Sequence, residues 1–202
     1  MIMILNLLLA LSLGAASDQT LRENARQGKP VNISVDCDCG PAPEFRDVVS
    51  KADVILSGTI TQAVPRLTPD EKEIETVYTL IVNRIIAQRD QIIYDRPGPV
   101  APFHFVQKGG SLSIDGIPVS MVLEWLPPIP VGTQGVFLLT RSVEPEVYVI
   151  TSTPYGAFRL QGDQVTPMTR KKDVYQQYVG IGLAGLLREL EELRLETWGT
   201  SR

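Results

Sequence analysis

Residues 52–82 read ADVILSGTITQAVPRLTPDEKEIETVYTLIV, and two segments of this stretch decide the fold. In the first, Val54, Leu56 and Gly58 alternate with Ile55 and Ser57, the period-two pattern of a strand. In the second, Thr76-Val77-Tyr78-Thr79-Leu80-Ile81-Val82 is rich in β-branched and aromatic side chains, which suit a pleated surface. The polar, proline-containing stretch from Pro65 to Lys72 separates them. The pair therefore reads as a long hairpin.

Further strands follow in the same style. Phe103-His104-Phe105-Val106 comes after a break rich in Pro97, Gly98, Pro99 and Pro102, and Gly109-Gly110 resets the chain before an apolar segment from Leu112. After Pro127, Pro128 and Pro130, strands are expected at Gly135-Val136-Phe137-Leu138-Leu139 and Val147-Tyr148-Val149-Ile150. Ala157-Phe158-Arg159-Leu160 and Gln164-Val165-Thr166 form a tight hairpin across Gly162-Asp163. Five or more antiparallel strands at short intervals predict a small barrel or sandwich over residues 43–170.

Helices flank this β region. Phe45, Val48, Val49 and Ala52 recur at helical spacing and predict a short N-terminal helix. From Val174 to Leu195, within a C-terminal helix and tail at 171–202, Tyr178, Leu186, Leu187, Leu190 and Leu193 share one face. That amphipathic face is too short for a sustained coiled coil and is expected to pack on the domain.

Composition limits the function classes. The 202 residues are 44% apolar and 21% charged, with a formal net charge of −4, and only Arg170-Lys171-Lys172 forms a basic cluster. No stripe is present that neutralises many phosphates, so nucleic acid is not an expected partner. Residues 1–16, MIMILNLLLALSLGAA, carry no charged side chain and end in small residues, the pattern of a signal peptide. The run is shorter than the roughly 20 residues of a membrane span, so no span is expected after its removal. Residues 17–42 are polar and are expected to be a flexible lead-in or a short helix.

The lead-in holds the only two cysteines, in Cys37-Asp38-Cys39-Gly40-Pro41. Three uses compete. A disulfide between positions i and i+2 is strained; a soft metal could be gripped by Cys37 and Cys39; or the thiols could bridge to a partner in an oxidising compartment. His104, the one histidine, is expected on a solvated strand face between Phe103 and Phe105 rather than as a third ligand. The acids at Asp36 and Asp38 resist burial unpaired, so the segment is expected at the surface, with Asp38, Gly40 and Pro41 as contact residues.

Cys37-Asp38-Cys39-Gly40-Pro41, followed by Phe45 and by Ala52-Asp53-Val54-Ile55 opening the first strand, resembles the start of the tissue inhibitors of metalloproteinases and, more broadly, of netrin-like domains. The resemblance implies a mainly β fold, a small antiparallel OB-like β-barrel with flanking helices, and a secreted or periplasmic, non-enzymatic binding module. It also implies a protein of the cell envelope or extracellular space as partner. Ala52–Ile60, Thr76–Thr79, Gly132-Thr133 and Tyr155-Gly156-Ala157-Phe158-Arg159 are similar to exported bacterial proteins of unassigned function. In the inhibitors the first cysteine is the mature N-terminus, whose α-amine chelates the protease zinc. Here the expected cut precedes Ser17, which leaves Cys37 without a free amine and makes protease inhibition the alternative reading.

No catalytic constellation stands out. Gly109-Gly110-Ser111 lacks the context of a nucleophile elbow or a phosphate loop, and Asp70-Glu71 and Glu73-Glu75 lie in a hydrophilic turn. The one enzyme reading is thiol redox chemistry or metal binding through Cys37 and Cys39, whose Cys-x-Cys spacing departs from the common Cys-x-x-Cys motif. No cofactor is implied.

Overall fold

A computed structural model describes residues 20–36, 41–89, 102–142, 147–171 and 175–198. The expected leader at 1–16 lies outside these residues. In chain order the elements are α1 (Leu21–Ala25), β1 (Val31–Val35), α2 (Phe45–Lys51), β2 (Val54–Leu67), β3 (Ile74–Gln88), β4 (Phe103–Lys108), β5 (Gly110–Ile114) and β6 (Ile117–Leu123). They continue with β7 (Gln134–Arg141), β8 (Tyr148–Ile150), β9 (Ala157–Gln161), β10 (Gln164–Pro167), a 3-10 turn at Gln176–Tyr178, β11 (Ile181–Gly182) and α3 (Leu183–Trp198). The fold is mainly β.

The hairpin expected at 52–82 forms and extends further, with Val54 opposite Gln88 and Leu67 opposite Ile74. Irregularities in its register near Ile55, Ser57 and Ile60 let the long strand β2 bend. Gly58 sits at one of them because nothing larger fits: a Cβ there would lie 2.4 Å from the Ile81 carbonyl oxygen. Beyond the bend, β2 pairs its N-terminal half with β7, Val54 opposite Leu139 and Thr59 opposite Gln134.

The expectation of antiparallel pairing throughout is corrected. The large sheet runs β11-β10-β9-β7-β2-β3-β4-β8, β8 also pairs with β7, and β4 and β8 are parallel through Val106 and Val149. The cause is parity. The steps from β7 to β2, β3 and β4, and from β7 to β8, are all antiparallel, so β4 and β8 must point the same way.

A second sheet, β1-β6-β5, contains a parallel pair too, Val31 to Val35 alongside Val119 to Leu123. Part of the expected lead-in is thus a strand. Val31, Ile33 and Val35 turn one face toward a cluster of Leu21, Ala25, Ile74, Ile114, Val119 and Met121. Helix α1 opens with a reciprocal cap, in which the Glu23 N–H donates to Thr20 Oγ1 at 3.2 Å and the Thr20 N–H donates to Glu23 Oε2 at 2.8 Å. Thr20→Ala should cost about 1 kcal/mol in denaturant melts, the usual worth of such a cap. An unchanged midpoint would mean that α1 is held by Leu21 and Ala25 alone.

β7 from Gly135 to Leu139 and the start of β2, Val54 to Leu56, are buried on both faces, which explains the short apolar runs there. Leu56, Ile60, Tyr78, Leu80, Phe105, Phe137 and Ile150 fill one cluster. Ile55, Val136, Leu138, Phe158 and Val165 face the other way, against Phe45, Val48 and Val49 of α2 and Leu186 and Leu190 of α3. Each such side chain contributes about 1.5–3 kcal/mol by leaving water. The leucine face of the C-terminal helix therefore packs on the domain, and Tyr178 joins the same cluster from the 3-10 turn before it.

Candidate functional site

Of the sequence-predicted site, Cys37, Asp38, Cys39 and Gly40 lie outside the described residues, and Pro41 is exposed. The chain on both sides of them is well placed. On the N-terminal side, the Val35 carbonyl accepts the Glu124 N–H at 3.4 Å, and Ser34 Oγ donates to Glu124 Oε1 at 2.5 Å. On the C-terminal side, the Tyr175 hydroxyl donates to the Pro43 carbonyl at 2.9 Å. Phe45, the first residue of α2, then enters a cluster of rings.

That cluster fixes the C-terminal side. The Phe45 ring centroid lies 5.5 Å from Phe158, 5.5 Å from Tyr175 and 4.9 Å from Tyr178, in edge-on or tilted contacts. Burial holds the Tyr175 phenol well above its ordinary value, with the charges of Tyr155 and Asp47 adding to the effect. Burial does the same to Tyr178, whose hydroxyl also donates to Glu189 Oε1 at 2.5 Å.

His104 lies on the exposed face of β4, with Nδ1 3.3 Å from Thr79 Oγ1 on the neighbouring strand. No group of three or more His, Cys, Asp or Glu side chains placed to hold a metal occurs among the described residues. Three of the four carboxylates of the 65–75 region are matched to separate cations, Glu71 to Arg22 at 2.8 Å, Glu73 to Lys108 at 2.8 Å and Glu75 to Arg66 at 2.6 Å, and the fourth, Asp70, accepts a hydrogen bond from the Thr68 hydroxyl at 2.6 Å. No helix among the described residues is long and apolar enough to cross a membrane.

A feature that sequence reasoning missed lies beside β9 and β10. Register places Arg159 directly opposite Thr166, on the same face of the hairpin. The chain then continues to Arg170, whose N–H donates to the Trp125 carbonyl at 2.9 Å, and to Lys171. A groove of about 280 Å³ lies between Arg159, Thr166, Met168, Arg170 and Pro127, and a second of about 180 Å³ adjoins it at Thr166 and Arg170 and reaches Lys171 and Val179. No described carboxylate lines either groove. The only sequence signal was the cluster from Arg170; Arg159 joins it through strand pairing. The C-terminal end of β1 and the grooves meet the same short segment, since Glu124 bonds to Val35 and the next residue, Trp125, bonds to Arg170.

No protein-family model matches the chain, and no curated protein matches it.

Proposed function

We propose that the protein is a secreted or periplasmic binding module of the OB type, non-enzymatic and netrin-like in architecture, that attaches to a protein of the cell envelope or extracellular space. Cys37 and Cys39 supply the attachment, with Asp38, Gly40 and Pro41 as the surrounding contact surface. Support for the barrel comes from the circuit of pairings, β7 to β2, β3, β4, β8 and back to β7, since closure of this kind removes free edges. The observation that carries the site is the fixing of both flanks, Val35 through Glu124 and Pro43 through Tyr175. A short connection between fixed ends loses less entropy when it is ordered against a partner than a free tail does.

The double substitution Cys37→Ser and Cys39→Ser tests this reading. In denaturant melts it should lower stability by less than about 1 kcal/mol, as for surface positions with no special role. In non-reducing gels of envelope extracts, the wild-type chain should run in a higher-mass species that reductant dissolves and that the double variant lacks. A loss of several kcal/mol would place a bridge or bound metal inside the fold instead. Identical gels for the two proteins would remove the tether.

A further inference from the structure

The paired grooves beside β10 hold three cations, Arg159, Arg170 and Lys171, for which no ion-pair partner occurs among the described residues. The chain as a whole carries a net charge of −4, and Glu71, Glu73 and Glu75 around the β2–β3 turn are matched to Arg22, Lys108 and Arg66. A concave cationic surface that no acid among the described residues lines therefore runs against the net negative charge of the protein. We propose that it is a recognition site for an extended acidic peptide segment of a partner protein. Carboxylates would seat on Arg159, Arg170 and Lys171, and an adjacent apolar side chain would lie along Met168 and Pro127.

Three observations point to a peptide rather than a small anion. First, the two cavities adjoin, so the cations are spread along a run and do not converge on one point. Second, the edge of β10 is open there: β11 pairs only with Gln164 and Val165, and beyond Val165 no strand covers the outer side of β10 among the described residues. The residue whose backbone faces outward there is Pro167, which has no N–H, so a bound chain is held by the side chains of the grooves and not by strand pairing. Third, apolar surface lies with the charge. Val179, 53% exposed, borders the second groove, and Met168 and Pro127 border the first. Arginine adds selectivity for carboxylates, because its planar fork donates to both carboxylate oxygens at once. The run is too short for a nucleic-acid backbone, which demands many phosphate contacts.

The described lining of the grooves does not include Cys37 or Cys39, so the test of this site can fail independently of the tether. Fluorescence anisotropy with a labelled peptide of alternating Glu and Leu, against its Gln and Leu counterpart, reads it directly. The acidic peptide should bind saturably to the full chain, the neutral peptide at least about tenfold more weakly, and added salt should weaken binding as it screens exposed charge. Arg159→Gln with Arg170→Gln should lose about tenfold or more, and Lys171→Glu should act in the same direction without touching the hairpin. Arg26→Gln, which removes one positive charge from the end of α1 outside the grooves, and the Cys37→Ser, Cys39→Ser protein should both bind as wild type. Absence of saturable binding would overturn the proposal. So would an equal loss in Arg26→Gln, which would mean general electrostatic attraction, or full displacement by inorganic phosphate at concentrations that leave ionic strength unchanged, which would mean a small-anion site.

Discussion

Raising the pH above about 10 should unfold the protein within a narrow interval, with stability falling by up to about 4 kcal/mol per pH unit. Three buried tyrosines are responsible. Tyr78 is held above its ordinary value of 10.0 by burial, although its hydroxyl accepts the Ile129 N–H at 2.9 Å. Tyr175 and Tyr178 are raised in the same direction, again chiefly by burial. A group whose folded value is raised contributes stability that is intact below the unfolded value, here near 10. That contribution is lost as pH climbs toward the folded value, because the unfolded chain gives up protons that the folded chain keeps. Each such group contributes a slope of about 1.4 kcal/mol per pH unit while the pH lies between its unfolded and folded values, against a total of about 5–15 kcal/mol for a typical domain. Denaturant melts between about pH 8 and 11 measure the slope, and phenolate absorbance should lag behind that of free tyrosine until unfolding. Tyr175→Phe with Tyr178→Phe should flatten the slope by about two thirds, which separates tyrosine from lysine titration. Three tyrosines ionising near pH 10 in a chain that stays folded would refute the account.

Phe158→Ala should cost about 3–5 kcal/mol, the range for removing a fully enclosed ring. Phe158 is 0% exposed and touches Phe45, Tyr175 at 6.4 Å and Tyr178 at 5.8 Å between ring centroids. Those rings come from α2, β9 and the segment preceding α3, so one truncation opens a void where three parts of the chain meet. The surroundings cannot collapse into it easily, because the Phe158 backbone is already fixed by pairing with Val136 and Pro167 on either side. The midpoint in urea should fall with little change in slope, as for a core defect in an otherwise intact fold. A loss below about 1.5 kcal/mol would mean that the ring cluster repacks and does not fasten the helices to the sheet.

What could be read in the amino-acid pattern depended on the range of the interaction. The β2–β3 hairpin, the β9–β10 hairpin and the buried Leu186 and Leu190 were legible because each rests on local periodicity. Strand β1 was not, although Val31, Ile33 and Val35 alternate; the polar composition around them masked five residues whose partner lies on β6. The parallel pairing of β4 with β8 was hidden for a different reason, since strand direction follows from the count of reversals around a circuit and no single segment encodes it. Arg159 reached Arg170 only through register. Cys37 and Cys39 stood out as a motif, yet Val35 and Pro43 on either side of them are held by Glu124 and Tyr175, which no local pattern connects to them.

The pairing of β1 with β6 also bears on the order in which the chain assembles. The β2–β3 and β9–β10 hairpins close short loops and can form without waiting for distant segments, whereas Val31 must find Val119 across most of the first half of the chain. Loop closure of that span loses more entropy than a hairpin does, and a parallel two-strand contact returns less per residue. Non-local pairings of this kind slow folding, so β1 docks late, onto a β5–β6 hairpin that is already in place. The Val35–Glu124 hydrogen bond at the end of β1 is thus expected to close only after β5 and β6 are built.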